Sequence, residues 1–252
     1  MKRTILFSLF TILACGSMQA TTFNFGYGEN GDASNTSNGV IANGTNGATA
    51  RTWTIGGITV NVQAFTLLNT PAGSMFSAAD TTQFGVAQSA NNNLGIGVCN
   101  SLELAATGGC GFNEWQIDDK APGGADFLLF TFSQAVNIGN LVIHQTTVQA
   151  DSDAAYFASN AVYTTPSTAW GLTTDAGGLL NPGQSRTLLG GPGIVGIRTF
   201  LFGAKDSGDG LADYFKLVSL DVTASSTPEP GTMAMLGSGL VALGIYSRRK
   251  KS

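Results

Sequence analysis

The stretch Thr52-Trp53-Thr54-Ile55-Gly56-Gly57-Ile58-Thr59-Val60-Asn61-Val62-Gln63-Ala64-Phe65 decides the fold class. Ile58, Val60, Val62 and Ala64 alternate with Thr59, Asn61 and Gln63, the two-residue period of a strand with one buried face. Two consecutive glycines between the apolar arms accept the positive φ angles of a tight hairpin turn. Residues 52–55 and 58–65 are therefore expected to pair.

The same grammar extends outward. Further strands are expected at 127–132, 141–148, 161–164, 194–202 and 214–222, separated by Gly, Asn, Ser, Thr and Pro. After Phe23-Asn24-Phe25, the polar stretch 28–47 reads as a loop. Helical periodicity with helix length occurs only in the C-terminal tail, and no repeat of 20–50 residues is visible. With 34 glycines in 252 residues and only 11% charged residues, the chain departs from an average soluble domain. Residues 21–226 are long enough for one sizeable core, and the pattern predicts an all-β antiparallel sandwich or jelly roll.

Charge excludes one class of partner. Between residues 21 and 231 stand six bases (Arg51, Lys120, Arg186, Arg198, Lys205, Lys216) against all 16 acids, a net of −10. Such a body repels nucleic acid and anionic membrane and favours cations.

The ends have their own signals. Lys2 and Arg3 precede the apolar run 5–14, which has the length of an export signal. Cleavage after Ala20 would start the mature chain at Thr21, so residues 1–20 are read as a signal peptide. Ile12-Leu13-Ala14-Cys15 offers a second reading as a degenerate lipobox with Cys15 lipidated. At the C-terminus, Pro228-Glu229-Pro230 is followed by Met233 to Tyr246, then by Arg248-Arg249-Lys250-Lys251. Fourteen helical residues rise about 21 Å against a hydrocarbon core of about 30 Å, short for a permanent membrane anchor. The basic cluster places the end on the cytoplasmic side.

This order of motif, short glycine-rich transmembrane helix and basic tail over residues 227–252 resembles the PEP-CTERM sorting signal of Gram-negative bacteria. The resemblance implies recognition by an inner-membrane exosortase, a cut near the motif, and release or attachment at the cell surface. It also implies an organism that makes exopolysaccharide and biofilm. The body resembles the uncharacterised β-sandwich ectodomains found ahead of this signal, which are compared with carbohydrate-binding jelly rolls. That likeness rests on Leu94-Gly95-Ile96-Gly97-Val98-Cys99, Trp115-Gln116-Ile117-Asp118-Asp119, Asp126-Phe127-Leu128-Leu129-Phe130-Thr131-Phe132 and Asp213-Tyr214-Phe215-Lys216-Leu217. It implies an architecture, not a ligand.

Three site types merit weighing. Once Cys15 leaves with the signal, Cys99 and Cys110 remain, an even pair that reads as a disulfide in an oxidising compartment. Asp151 and Asp153, with Asp206, Asp209 and Asp213, supply alternating loop carboxylates suited to calcium. Aspartates also populate turns by capping their own backbone, and both readings stand. Trp53, Trp115 and Trp170 offer apolar faces on which sugar rings could stack, or they fill the core.

Catalytic patterns are weak. No G-x-S-x-G elbow occurs, His144 lies in an alternating strand, and the G-x-G-x-x-G runs at 26–31 and 191–196 open no helix. Glu103, Glu114 and Asp118 are the carboxylates a glycosidase reading would need. The expectation is a structural or adhesive protein of the cell surface or extracellular matrix, not an enzyme, with possible carbohydrate binding. A secreted carbohydrate-active hydrolase or lyase is the alternative.

Overall fold

The computed structural model describes residues 20–25, 50–70, 73–78, 86–88, 95–100, 116–119, 124–145, 149–175, 177–189, 193–205 and 213–225, and in the tail 237–241, 243 and 247. Residues 1–19, the stretch 28–47, Glu103, Cys110, Glu114, Trp115, Asp206, Asp209 and Pro228-Glu229-Pro230 lie outside the described residues. The described body is all-β, with thirteen strands whose ladders are antiparallel throughout.

The hairpin forms as expected. β2 (Ala50–Ile55) runs into β3 (Ile58–Thr70), with β1 (Ala20–Asn24) nearby, and Trp53 stands opposite Val60. Gly56 and Gly57 have φ angles of 57° and 78°, and a Cβ on Gly56 would come within 2.6 Å of Thr21 Oγ1. Glycine is required there both by conformation and by the approach of β1.

The axis of the sheet is β8 (Ala125–His144). Its first part lies between β3 and β12 (Ile194–Ala204); its last part lies between β13 (Tyr214–Ala224) and β11 (Ser185–Leu188). Two separate strands, 127–132 and 141–148, were the expectation. One continuous strand replaces them, because exposed Ser133 and Gln134 mark a change of ladder partner, not a turn. Within it, Leu128, Phe130 and Phe132 join Val60, Val62, Phe200 and Phe202 in the main core. Phe127 and Leu129 face the opposite way, with Phe65, Ala155 and Leu201. A strand buried on both faces loses polar alternation, which explains the continuous apolar run.

β13 carries Phe215, Leu217, Leu220 and Val222 into the main core, and β1 adds Phe23. Full burial of side chains of this size is worth about 1.5–3 kcal/mol each. β1 runs along β13, from Ala20 opposite Thr223 to Asn24 opposite Ser219. The smaller strands complete the network: β4 (Gly73–Ala78) on β3, β5 (Val86–Gln88) on β6 (Ile96–Val98), and β6 and β7 (Ile117–Asp118) on β13. β10 (Thr173–Asp175) pairs with β9 (Ala154–Ser159), which in turn lies along β12.

A strand at 161–164 is not found; β9 ends before it. Hydroxyl groups hold this exposed segment in place of a ladder. Tyr163 N–H donates to Thr199 Oγ1 (3.0 Å), Thr199 Oγ1 donates to Ala161 O (2.8 Å), and Thr131 Oγ1 donates to Tyr163 O (3.1 Å). In the tail, residues 237–241, 243 and 247 are helical and exposed. No helix among the described residues is long and apolar enough to cross a membrane.

Candidate functional site

The chain brings three of the five expected aspartates together. Residues 150–153 lead into β9 and Asp213 leads into β13, and the two segments meet in a parallel bridge between Asp151 and Asp213. Carboxylate oxygens of Asp151, Asp153 and Asp213 lie within 4.8 Å of one another. Backbone donors orient them: Ser152 N–H to Asp151 Oδ1 (2.7 Å), Asp153 N–H to Asp213 Oδ1 (2.7 Å) and Gly177 N–H to Asp153 Oδ1. Asp119, beyond β7, accepts from Asp213 N–H at 2.9 Å and adds a fourth acid beside the cluster.

Asp213 is 1% exposed. Burial is the main reason its pKa is pushed up to about 9; the charge of Asp119 adds to the rise, the hydrogen bond from Asp153 N–H opposes it, and the charges of Asp153 and Asp151 add again. Asp213 thus keeps a proton at neutral pH, and a bound cation would replace that proton as counter-charge.

Arg186, on β11, frames the cluster. Its Nη1 donates to Ser152 O (2.9 Å) and Ser152 Oγ (2.8 Å), and its Nη2 pairs with Asp175 at the end of β10. Burial lowers its pKa, while Asp153, Asp151 and Asp213 act the other way. A Cβ on Gly177 would fall 2.2 Å from Arg186 Nη1 and 2.5 Å from the Ser152 carbonyl carbon, so only glycine fits between them. Hard carboxylate oxygens of this kind match calcium or magnesium and not softer metals. Sequence reasoning missed Asp119, Asp175 and Arg186, because no local spacing ties them to the other acids.

The tryptophans part company. Trp53 is 2% exposed and meets Phe25 edge-on, with ring centroids 5.0 Å apart. Its indole belongs to the core, which removes it as a sugar platform. Trp170 is half-buried on the second apolar cluster and stacks on Phe157 at 4.2 Å and 12°. Tyr163, 37% exposed, closes a third side with its centroid 4.9 Å from that of Trp170. This Phe157–Trp170–Tyr163 group borders the hydroxyl-held segment 161–164; Phe157 and Tyr163 carry no sequence signal of such a role.

Of the carboxylates for the glycosidase reading, Asp118 is buried in β7 opposite Tyr214. His144 shares a hydrogen bond of 2.8 Å with Ser185 Oγ and stands across from Lys216 on β13. Burial, then the charge of Lys216, lower the His144 pKa; burial pushes Lys216 down to about 8. At the processing positions, Ala20 is exposed and Thr21 buried, both within β1.

No curated protein and no solved structure matches the chain. A family model does match where β13 has just ended, at residues 226–250, and its description is the PEP-CTERM protein-sorting motif. The chain therefore carries, directly behind its β-sheet body, the signal that exosortases recognise in proteins exported and held at the membrane before sorting.

Proposed function

We propose that this protein is a non-catalytic β-sandwich of the cell surface or extracellular polysaccharide matrix of a Gram-negative bacterium, with a structural or adhesive role in biofilm. The observation that carries this reading is the sorting motif beginning at residue 226, two residues after the last strand. Signal removal between Ala20 and Thr21 starts the mature chain within β1, and the exosortase then acts near Pro228-Glu229-Pro230.

Two ligand classes go with this role. Carbohydrate contact is assigned to Trp170, whose half-buried indole is oriented by stacking on Phe157 and by contact with Tyr163. Trp115 is a second aromatic candidate. Calcium is assigned to Asp151, Asp153 and Asp213, with Asp206 and Asp209 from the segment before β13 as further ligands. A disulfide between Cys99 and Cys110 closes the loop between them; its support is the even pair of cysteines in an oxidising compartment and the full burial of Cys99.

A glycan array probed with the exosortase-released protein tests the sugar reading. Polysaccharide fragments are expected to bind the wild type and to be lost with Trp170→Ala. Absence of any bound glycan, or equal binding by the variant, contradicts it. Intact mass without reductant should be two hydrogens below that of the reduced chain; two alkylatable thiols would dismiss the disulfide.

A further inference from the structure

The sheet and the sorting motif are almost contiguous. β13 ends at Ala224, and Ser225 is still fixed by its N–H, which donates to Ala135 O at 2.9 Å. From Ser225 to Pro228 is three residues, at most about 11 Å of fully extended chain. A peptidase that holds Pro228-Glu229-Pro230 must meet the folded body, unless β13 is first stripped from β1 and β8. Stripping would expose Leu220 and Val222, both buried in the main core, so contact with the intact sheet end is the lower-energy route.

That end is well defined. Thr223 stands opposite Ala20 on one side and Asn137 on the other, and Ala224 opposite Val136. Asn137 Oδ1 accepts Gly196 N–H at 2.9 Å, and a Cβ on Gly196 would lie 3.9 Å from Ser225 Oγ. Next to Gly196 is Val195, 66% exposed, the most exposed large apolar side chain of the described body. Val195 therefore marks this end of the sheet with a solvent-facing side chain close to where the chain leaves for the motif.

We propose that this sheet end, with Val195, Asn137 and Thr223, is the surface that docks on the exosortase during sorting. The inference rests on the sorting reading and adds the part of the body that the enzyme touches. An enzyme that holds the motif has at most about 11 Å of chain between it and Ser225, whereas the apolar tail beginning at Met233 has up to about 28 Å of slack, so contact with the sheet end is obligatory for the enzyme and not for the bilayer. Asp213 immediately precedes β13 and Ala224 closes it, so the length of the strand, roughly 35 Å, separates the acidic cluster from the docking end.

The test is photo-cross-linking in the full-length precursor, co-produced with a catalytically inactive exosortase. A cross-linking side chain at Val195 is expected to capture the enzyme. One at Leu179, which is 52% exposed beside the acidic cluster, is expected not to. Equal capture at both positions, or capture of lipid alone at Val195, overturns the docking surface. With active enzyme, Val195→Glu should slow release several-fold with an unchanged melting midpoint, and unchanged release counts against the proposal. The sorting reading fails separately, if shortening of the wild-type precursor does not depend on the exosortase at all.

Discussion

Asp153 donates its backbone N–H to Oδ1 of Asp213 at 2.7 Å, across sixty residues of chain. That bond ties the start of β9 to the start of β13 and draws together carboxylates that would otherwise repel. Burial and the neighbouring acids favour a proton on Asp213, and a divalent cation would supply the counter-charge in its place.

Stability should therefore respond to calcium and to pH through one residue. Asp213 has a folded pKa of about 9 against an ordinary 3.8, so the folded state holds the extra proton between these values. Its contribution to stability falls as pH rises through that window. Calcium binding only the folded form adds about 2.7 kcal/mol at a hundredfold excess over its Kd. Thermal melts with millimolar calcium and with chelator at pH 7 should differ for the wild type. Asp213→Asn, which mimics the protonated acid, should abolish the difference and flatten this pH slope. Equal wild-type midpoints would mean that the aspartates only shape turns.

Lys216 and His144 give the opposite sign of pH dependence. Both pKa values are lowered in the fold, Lys216 to about 8 from 10.5. The Lys216 contribution rises with pH between about 8 and 10.5, and the His144 contribution is lost as pH falls below 6.5. Lys216→Met removes the titrating group and is expected to remove the rise in stability between about pH 8 and 10.5. His144→Gln should lessen the loss of stability on acidification from pH 7 to 5. Denaturant titrations at these pH values check both signs.

The hairpin offers a paired comparison. Gly57→Ala meets nothing within 4 Å and suffers only from its positive φ, so a loss of about 1 kcal/mol is expected. Gly56→Ala meets Thr21 Oγ1 as well and should cost more, about 2 kcal/mol or above. Urea unfolding that ranks the two alike would remove the close approach of β1 from the explanation.

What was legible in the sequence was what is local. The Gly56-Gly57 turn and the alternation from Ile58 to Ala64 are properties of neighbouring residues, and the structure follows them. The sorting motif is linear and needs no fold to be read. Ser133 and Gln134 look like a turn because polar residues usually mark one; only the partner exchange along β8 explains them. Val162 and Tyr163 have strand-like side chains, yet their segment is bound by Thr131 and Thr199. Asp151 and Asp153 were visible as candidates, as was Asp213, but their convergence and the framing by Asp119 and Arg186 are tertiary facts. The burial of Trp53 is likewise set by Phe25, far from it in sequence.

The central claim is that residues 226–250 send this β-sheet body out through an exosortase, and one measurement tests it most directly. Pro228-Glu229-Pro230 is replaced by three alanines, and membrane and extracellular fractions are probed for the protein by immunoblot. The account predicts full-length precursor retained in the inner membrane and little or no shortened protein outside. A variant still shortened and released like the wild type would contradict it.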